Sequence, residues 1–399
     1  MEEEHPISPI TYSGPMLCRR QGSDRSNIYP STAISTSQPN HTHDHLMEIH
    51  SHSSTTRIPR ILVCFLLIYL AFHSHLFGQT TGKWLPDILG DGYEMCQVKQ
   101  PDDYTGPVVS TVIRKLAPKH IDGSPVTRGA LYVHGFNDYF FQSEMGNRFV
   151  EHGYDFYAVD LRRYGRSLRE GDKLFDVRDM TTYFQDIDSA LVIMARQGIT
   201  EVILIGHSTG GLTTAYFESR CHPEAVKALI LNSPFLDWNL GWKEKLIPAI
   251  TLLGKVWPSF KISQGMSDAY AESLLKRYHG EWDYRTDWKL IQSPPVTAGW
   301  IRAITLAQKA LRGGKADIRV PILLMYSSAS VSGSQWSPEH NRADGVLDVK
   351  DIKKYGLGLG PNVTCVRVDG GLHDLVLSAK SVREPLYRYI FQWLAQRGL

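Results

Sequence analysis

The sequence predicts an α/β chain with a mostly parallel central sheet, flanked by helices and carrying one helical insertion. Three observations predict it. From Lys83 to the C-terminus, apolar runs of strand length alternate with helical stretches. The cores of these runs are almost continuously apolar, the pattern of strands covered on both faces. One interval, residues 237–315, breaks the alternation with proline-interrupted helical sequence. Strand, helix and strand in repetition favour a parallel arrangement.

The elements follow in order. "YTGPVVSTVIRKLA" (104–117) reads as an early strand, a hairpin partner at the sheet edge. "GALYVHGF" (129–136) and "YDFYAVDL" (154–161) read as strands, followed by a helix over Met180–Arg196. "EVILIGHS" (201–208) is the next strand, with a helix over Leu212–Arg220 behind it. "VKALILNSP" (226–234), "VPILLMYSS" (320–328) and "VTCVRVDGG" (363–371) complete the set. The insertion holds Trp238, Trp242, Trp257, Trp282, Trp288 and Trp300, six of the nine tryptophans. An insertion of that length is usually functional. It is expected to cap the C-terminal edge of the sheet, where open α/β sheets bind ligands. Its tryptophans either form the cap's own core or line a pocket.

Composition bounds the function classes. The 399 residues are 42% hydrophobic and 21% charged, with 43 basic against 41 acidic side chains. That balance is globular and gives no basic patch for nucleic acid. Cys18, Cys64, Cys96, Cys221 and Cys365 have neither zinc-site nor disulfide-scaffold spacing, and read mostly as small apolar residues.

Ahead of the domain lies a different composition. Residues 1–60 are rich in Ser, Thr, His and Pro and read as a disordered tail. His41, His43, His45, His50 and His52 read as solvated, because no folded frame orients them. Residues 61–82 carry no formal charge and open with "ILVCFLLIYLAF" (61–72). This is a hydrophobic anchor or signal segment with its linker, slightly short of a full membrane span. Arg57 and Arg60 would keep the tail cytoplasmic. A cleaved signal peptide starting at Met47 is the alternative. The expected location is membrane-anchored or secreted, and cytoplasmic if residues 61–77 do not insert. Residues 83–399 form the remaining domain.

The chemistry starts at Gly206-His207-Ser208-Thr209-Gly210. This G-x-S-x-G follows a strand and opens a helix, the context of a nucleophile elbow. The sharp turn lifts Oγ clear, and the helix N-terminus aims N–H groups at developing negative charge. A serine needs a base. His373, in "GGLHDLVLS" (370–378) after the last strand, is the candidate. His134 comes too early to be the base and suits an oxyanion loop. His207 is expected to pack beside the nucleophile.

With those residues in hand, the domain from about Trp84 to Leu399 resembles the α/β-hydrolase superfamily, closest to its serine-aminopeptidase-like branch that includes monoacylglycerol lipases. The resemblance is carried by "HGF" (134–136), "DLRRYGRS" (160–167), "GHSTGG" (206–211), "ADGVLDV" (343–349) and "LHD" (372–374). It implies the α/β-hydrolase fold and cleavage of esters or, less often, amides without a cofactor. It implies oxyanion donation from the N–H groups of Phe136 and Thr209. It also implies a triad acid at Asp344, within a window that holds Glu339, Asp348, Asp351 and Asp369 as well. The long "SASVSGSQWSPEHNR" before Asp344 departs from the family pattern and keeps Asp348 as the alternative.

Ser208, His373 and Asp344 thus define a serine hydrolase acting on small-molecule acyl esters, acylglycerol-like or otherwise apolar, with membrane association expected. An aminopeptidase would need a carboxylate for the substrate's amine, and Glu244, Asp268, Glu272, Glu281 and Asp283 are available. A non-catalytic binding protein that kept the fold is the third reading.

Overall fold

The computed structural model describes residues 83–119, 123–263 and 267–399. The expected tail and the anchor or signal segment lie outside the described residues. Among the described residues, no helix is long and apolar enough to cross a membrane.

Nine strands form one sheet: β1 (Leu85–Pro86), β2 (Glu94–Asp103), β3 (Gly106–Lys115), β4 (Arg128–Val133), β5 (Asp155–Asp160), β6 (Glu201–His207), β7 (Val226–Asn232), β10 (Ile322–Ser327) and β11 (Val363–Val368). Their order is β1-β2-β3-β5-β4-β6-β7-β10-β11. The first three pairs, β1–β2, β2–β3 and β3–β5, are antiparallel, and from β5 to β11 every pair is parallel. The parallel strands from β4 to β10 are buried on both faces, which is why each reads as an unbroken apolar run.

The sequence reading misplaced one strand of this sheet and missed two, β1 and β2. The 104–117 strand is β3, third from the edge, and β2 is its hairpin partner. Strand β2 buries Cys96, Val98 and Gln100 in alternation, so only two of its inner residues are apolar. Gln100 is buried because its amide donates to Ser110 Oγ at 2.7 Å and Ser189 Oγ at 3.0 Å. Pro101 is accommodated by a register irregularity between Gln100 and Asp103.

Helices cover both faces. Helix α1 (Ser143–Glu151) and α8 (Lys380–Ala395) pack with one apolar cluster. Helices α2 (Thr182–Arg196) and α3 (Thr209–Cys221) pack with the other. Helix α7 (Val349–Gly356) lies on the β10 side.

The insertion does not behave as one block. Its last helix, α6 (Ala298–Leu311), buries Trp300, Ile304, Ala307 and Leu311 in the same cluster as the sheet and contacts α3. Residues 298–311 therefore pack both on α3 and on the helix over residues 247–256, and join the insertion to the layer that covers the sheet. What precedes it is α4 (Ile247–Val256), α5 (Ala269–Leu274) and a two-strand ribbon of β8 (Lys261–Ile262) with β9 (Val296–Thr297). This part touches the loops that follow the strands. Asn137 exchanges two hydrogen bonds of 2.8 Å with the main chain of Leu290. Asn239 donates to Val346 O, and Trp282 donates to Leu377 O at 2.7 Å.

Candidate active site

Ser208 sits between the end of β6 and the start of α3 with φ 53° and ψ −117°. A non-glycine residue held there carries strain of about 1–3 kcal/mol, and the surroundings must enforce it. They do. Ser208 N donates to Asn232 O at 3.0 Å, and Ser208 O accepts from Leu212 N and Phe235 N. The elbow is so tight that a Cβ on Gly210 would run into the carbonyl oxygens of Val133 and His134. One on Gly206 would meet Thr214 Oγ1 and Gly210 O. The two glycines of G-x-S-x-G are thus required by close approach of backbone to backbone.

Opposite the elbow runs the loop after β4. A Cβ on Gly135 would lie 3.1 Å from Ser208 Cβ, so this loop presses against the serine. His134 is buried and locks it: Nδ1 donates to Gly135 O at 2.8 Å, and Nε2 accepts from Leu161 N at 3.1 Å. Both ring nitrogens are engaged, in keeping with the expectation that His134 serves the loop. Among the described residues, no backbone carbonyl accepts from the N–H of Phe136 or Thr209.

His373 is 2% exposed. Its Nδ1 lies 2.9 Å from Asp344 Oδ2, and Asp344 is fully buried. The other oxygen, Oδ1, accepts from Val346 N and Leu347 N, each at 2.8 Å. The carboxylate is therefore oriented by its own loop before it meets the histidine. The His373 ring lies 4.8 Å from the ring of His207, next to the serine. Burial lowers the pKa of His207, which keeps that ring neutral.

The other acids of the window go elsewhere. Asp348 caps α7 by accepting from Lys350 N at 2.9 Å. Glu339 pairs with Arg342, and Asp369 is exposed beside Arg367. The insertion before Asp344 folds into a short turn over residues 338–341 that reaches the cap, where Asn341 donates to His279 O and Trp336 stacks on His279.

Sequence reasoning missed the buried polar network around these residues. Asp374 accepts from Asn232 Nδ2 at 2.7 Å and from Gln142 Nε2 at 3.0 Å. Lys289 reaches in from the cap and donates to Asp138 at 3.0 Å, with both side chains buried. Asp138, His207 and Asp374 hold donor atoms within 4.8 Å of one another. They could ligate a metal, but the Lys289 ammonium already supplies the cation at Asp138, and both oxygens of Asp374 are engaged. The three arginines of "DLRRYGRS" are also buried. Arg162 binds Asp186, Arg163 binds Asp103, and Arg166 bridges Asp87 and Asp160. Asp160 in turn accepts from Phe140 N at 2.8 Å, which braces the loop after β4.

A cavity of about 300 Å³ adjoins Phe136, walled by Leu174, Phe175, Val296 and Trp300, with Asp172 and Lys173 among its polar residues. Trp238 packs edge-on behind Trp300. Trp242 and Trp257 instead face solvent, at 72% and 58% exposure.

The sequence model of the serine aminopeptidase S33 family matches residues 126–332. That span contains the loop after β4 and Ser208, and ends before Asp344 and His373. A phospholipase of Bacillus subtilis (strain 168), YtpA, is 25% identical over 179 residues. The match covers 44% of this chain and 64% of that relative, so the chain spans less than two thirds of the relative's length. Solved structures share the fold. A monoacylglycerol lipase of Paleococcus ferrophilus superposes with TM-score 0.52 at 18% identity, covering 71% of this chain and 98% of the other. A soluble variant of the Saccharomyces cerevisiae monoglyceride lipase, in complex with a substrate analog, gives 0.55 at 17%, covering 75% and 94%. A thermostable carboxyl esterase of Bacillus coagulans, in complex with glycerol, gives 0.53 at 16%, covering 76% and 98%. The chain belongs to the serine aminopeptidase S33 family and has the α/β-hydrolase fold.

Proposed function

We propose that this family member is a serine hydrolase that cleaves carboxylic esters with apolar acyl groups. The observation that carries the reading is the 2.9 Å bond from His373 to the buried, loop-oriented Asp344, with the His373 ring 4.8 Å from that of His207, the residue before the positive-φ Ser208. In this reading Asp344 fixes the His373 tautomer with Nδ1 protonated and stabilises the imidazolium. Nε2 takes the Ser208 proton as Oγ attacks the ester carbonyl. The N–H groups of Phe136 and Thr209 hold the oxyanion, and each such donor is worth about 10²–10³ in rate. His373 then protonates the departing alcohol. Water, deprotonated by His373, cleaves the acyl-enzyme and restores Ser208. The cavity beside Phe136 would receive one apolar arm of the substrate.

The name of the family keeps an aminopeptidase in view, and three of the five cap carboxylates are already engaged. Glu281 binds Arg383 at 2.6 Å, Asp283 is exposed with Lys276, and Glu244 accepts from Leu240 N. Asp138, buried beside His207, already has Lys289 as its cation. A substrate ammonium would have to displace it.

The same reading includes contact with lipid surfaces. Leu240, Trp242, Leu246, Leu252, Val256, Trp257 and Phe260 are all exposed large apolar side chains within one stretch of the cap. Lys243, Lys245, Lys255 and Lys261 lie among them, with Glu244 as the one acid from 240 to 261. An apolar face ringed by lysines suits an anionic membrane surface. An anchor at 61–77 would place the domain outside the cytoplasm, and protease protection on sealed vesicles tests this. A domain digested from the cytoplasmic side would reverse the orientation.

A hydrolysis screen tests the activity. It compares p-nitrophenyl esters of graded chain length, monoacylglycerols and aminoacyl amides, with Ser208→Ala as control. Ester turnover that vanishes in Ser208→Ala supports the reading. Turnover of aminoacyl amides alone would favour the peptidase.

A further inference from the structure

We propose that Asn232 is a positioning residue that sets His373 against Ser208, a role that rests on the serine-hydrolase reading. Asn232 ends β7, directly beside the strand that carries the elbow, and is 2% exposed. Its main chain serves the nucleophile. The carbonyl accepts from Ser208 N at 3.0 Å and from His207 Nδ1 at 3.2 Å. Its side chain serves the base. Nδ2 donates to Asp374 Oδ1 at 2.7 Å, and Oδ1 accepts from Leu375 N at 3.2 Å. Those are the two residues after His373. One residue therefore ties the elbow to the histidine loop across 142 positions of sequence.

The chemistry at that position is narrow. Asp374, as a carboxylate, only accepts, and Leu375 N–H only donates. The side chain at 232 must present one donor and one acceptor, about as far from the backbone as an asparagine amide. Leucine would match the size and leave both partners buried and unpaired. Aspartate would set a second carboxylate against Asp374. The titratable groups around Asp374 and His207 include His373, Asp138, Lys289, Tyr270, Tyr132 and Tyr387.

The test uses Asn232→Ala and Asn232→Asp in the full chain. The readouts are ester kinetics and the rate of fluorophosphonate labelling, with Ser208→Ala alongside. In Asn232→Ala, kcat and labelling rate are expected to fall together by about 10²-fold, the scale of a misplaced reacting group, with KM nearly unchanged. In Asn232→Asp the activity relative to wild type is expected to climb toward one as pH falls. Once protonated, the introduced carboxyl can donate to Asp374 and still accept from Leu375 N–H. Taking the ratio removes the titration of His373 itself. A folded Asn232→Ala with wild-type kcat and labelling rate overturns the role, and so does a ratio for Asn232→Asp that is flat with pH. A wild-type chain that neither labels nor hydrolyses esters overturns the hydrolase reading itself, and the positioning role with it.

Discussion

Replacing Asp344 by asparagine removes one charge and almost no volume, and the structure dictates how the amide must sit. Asp344 Oδ1 accepts from two backbone N–H groups, of Val346 and Leu347, both at 2.8 Å. The carbonyl oxygen of an asparagine has to take that place, because an NH₂ would face two donors. The NH₂ is then left 2.9 Å from His373 Nδ1, where the carboxylate oxygen stood. Facing a donor, Nδ1 becomes the acceptor and the proton moves to Nε2. The nitrogen that should take the Ser208 proton is already protonated. Both retained loop bonds keep the fold, so the loss falls on turnover. Neutralising a triad aspartate in this way costs about 10⁴ in kcat, which is about 5.5 kcal/mol in the barrier. Asp348→Asn is the paired control, since an asparagine caps α7 about as well as an aspartate. The assay is ester hydrolysis under saturating substrate, with circular dichroism to verify folding. Asp344→Asn within tenfold of wild type would refute the reasoning. So would a larger loss in Asp348→Asn than in Asp344→Asn.

Other outcomes follow from particular contacts. Lys289→Met strands the buried Asp138 charge and should cost about 3–5 kcal/mol, while Asp138→Asn/Lys289→Met together recover most of it; urea unfolding of the single and double variants checks this. Glu218 is 1% exposed, and burial raises its carboxyl from 4.5 to about 7. Because the folded state holds that proton longer, Glu218 costs stability as pH rises from about 4.5 through 7. Glu218→Gln should therefore leave stability near pH 4.5 unchanged and raise it at pH 8, with a ceiling of about 3 kcal/mol; a melting-temperature difference independent of pH would contradict this. Trp242→Ser/Trp257→Ser removes two exposed anchors, each worth about 1–2 kcal/mol on burial. It should weaken sedimentation with phosphatidylcholine–phosphatidylglycerol vesicles about tenfold or more, while leaving turnover of a short soluble ester unchanged.

The sequence made the parallel half of the fold legible because burial on both faces leaves an unmistakable apolar run. The antiparallel edge was harder to see. Strand β2 buries Gln100 where a core residue was expected and carries Pro101, and neither looks like a strand until Ser110 and Ser189 supply the amide's partners. Helix α6 is likewise ambiguous by sequence, and only the contacts show that it packs on both α3 and α4. At the site, Ser208 was readable because the strained turn needs glycines on both sides. His373 was proposed from its place after the last strand and Asp344 from the family resemblance, and the structure brings these two side chains within 2.9 Å. Asn232, Asp374, Gln142 and Lys289 were not readable. Each is an ordinary polar residue by sequence, and its place depends on contacts 142 to 232 positions away, or 151 for the Lys289–Asp138 pair.

The central claim is that Ser208 is an activated nucleophile. Incubating the folded chain with a fluorophosphonate and mapping the adduct by peptide mass spectrometry measures it directly. The account predicts one adduct, on Ser208, absent from Ser208→Ala and formed far more slowly in Asp344→Asn. A folded chain that acquires no adduct, or acquires it on another residue while Ser208 stays unmodified, would contradict it.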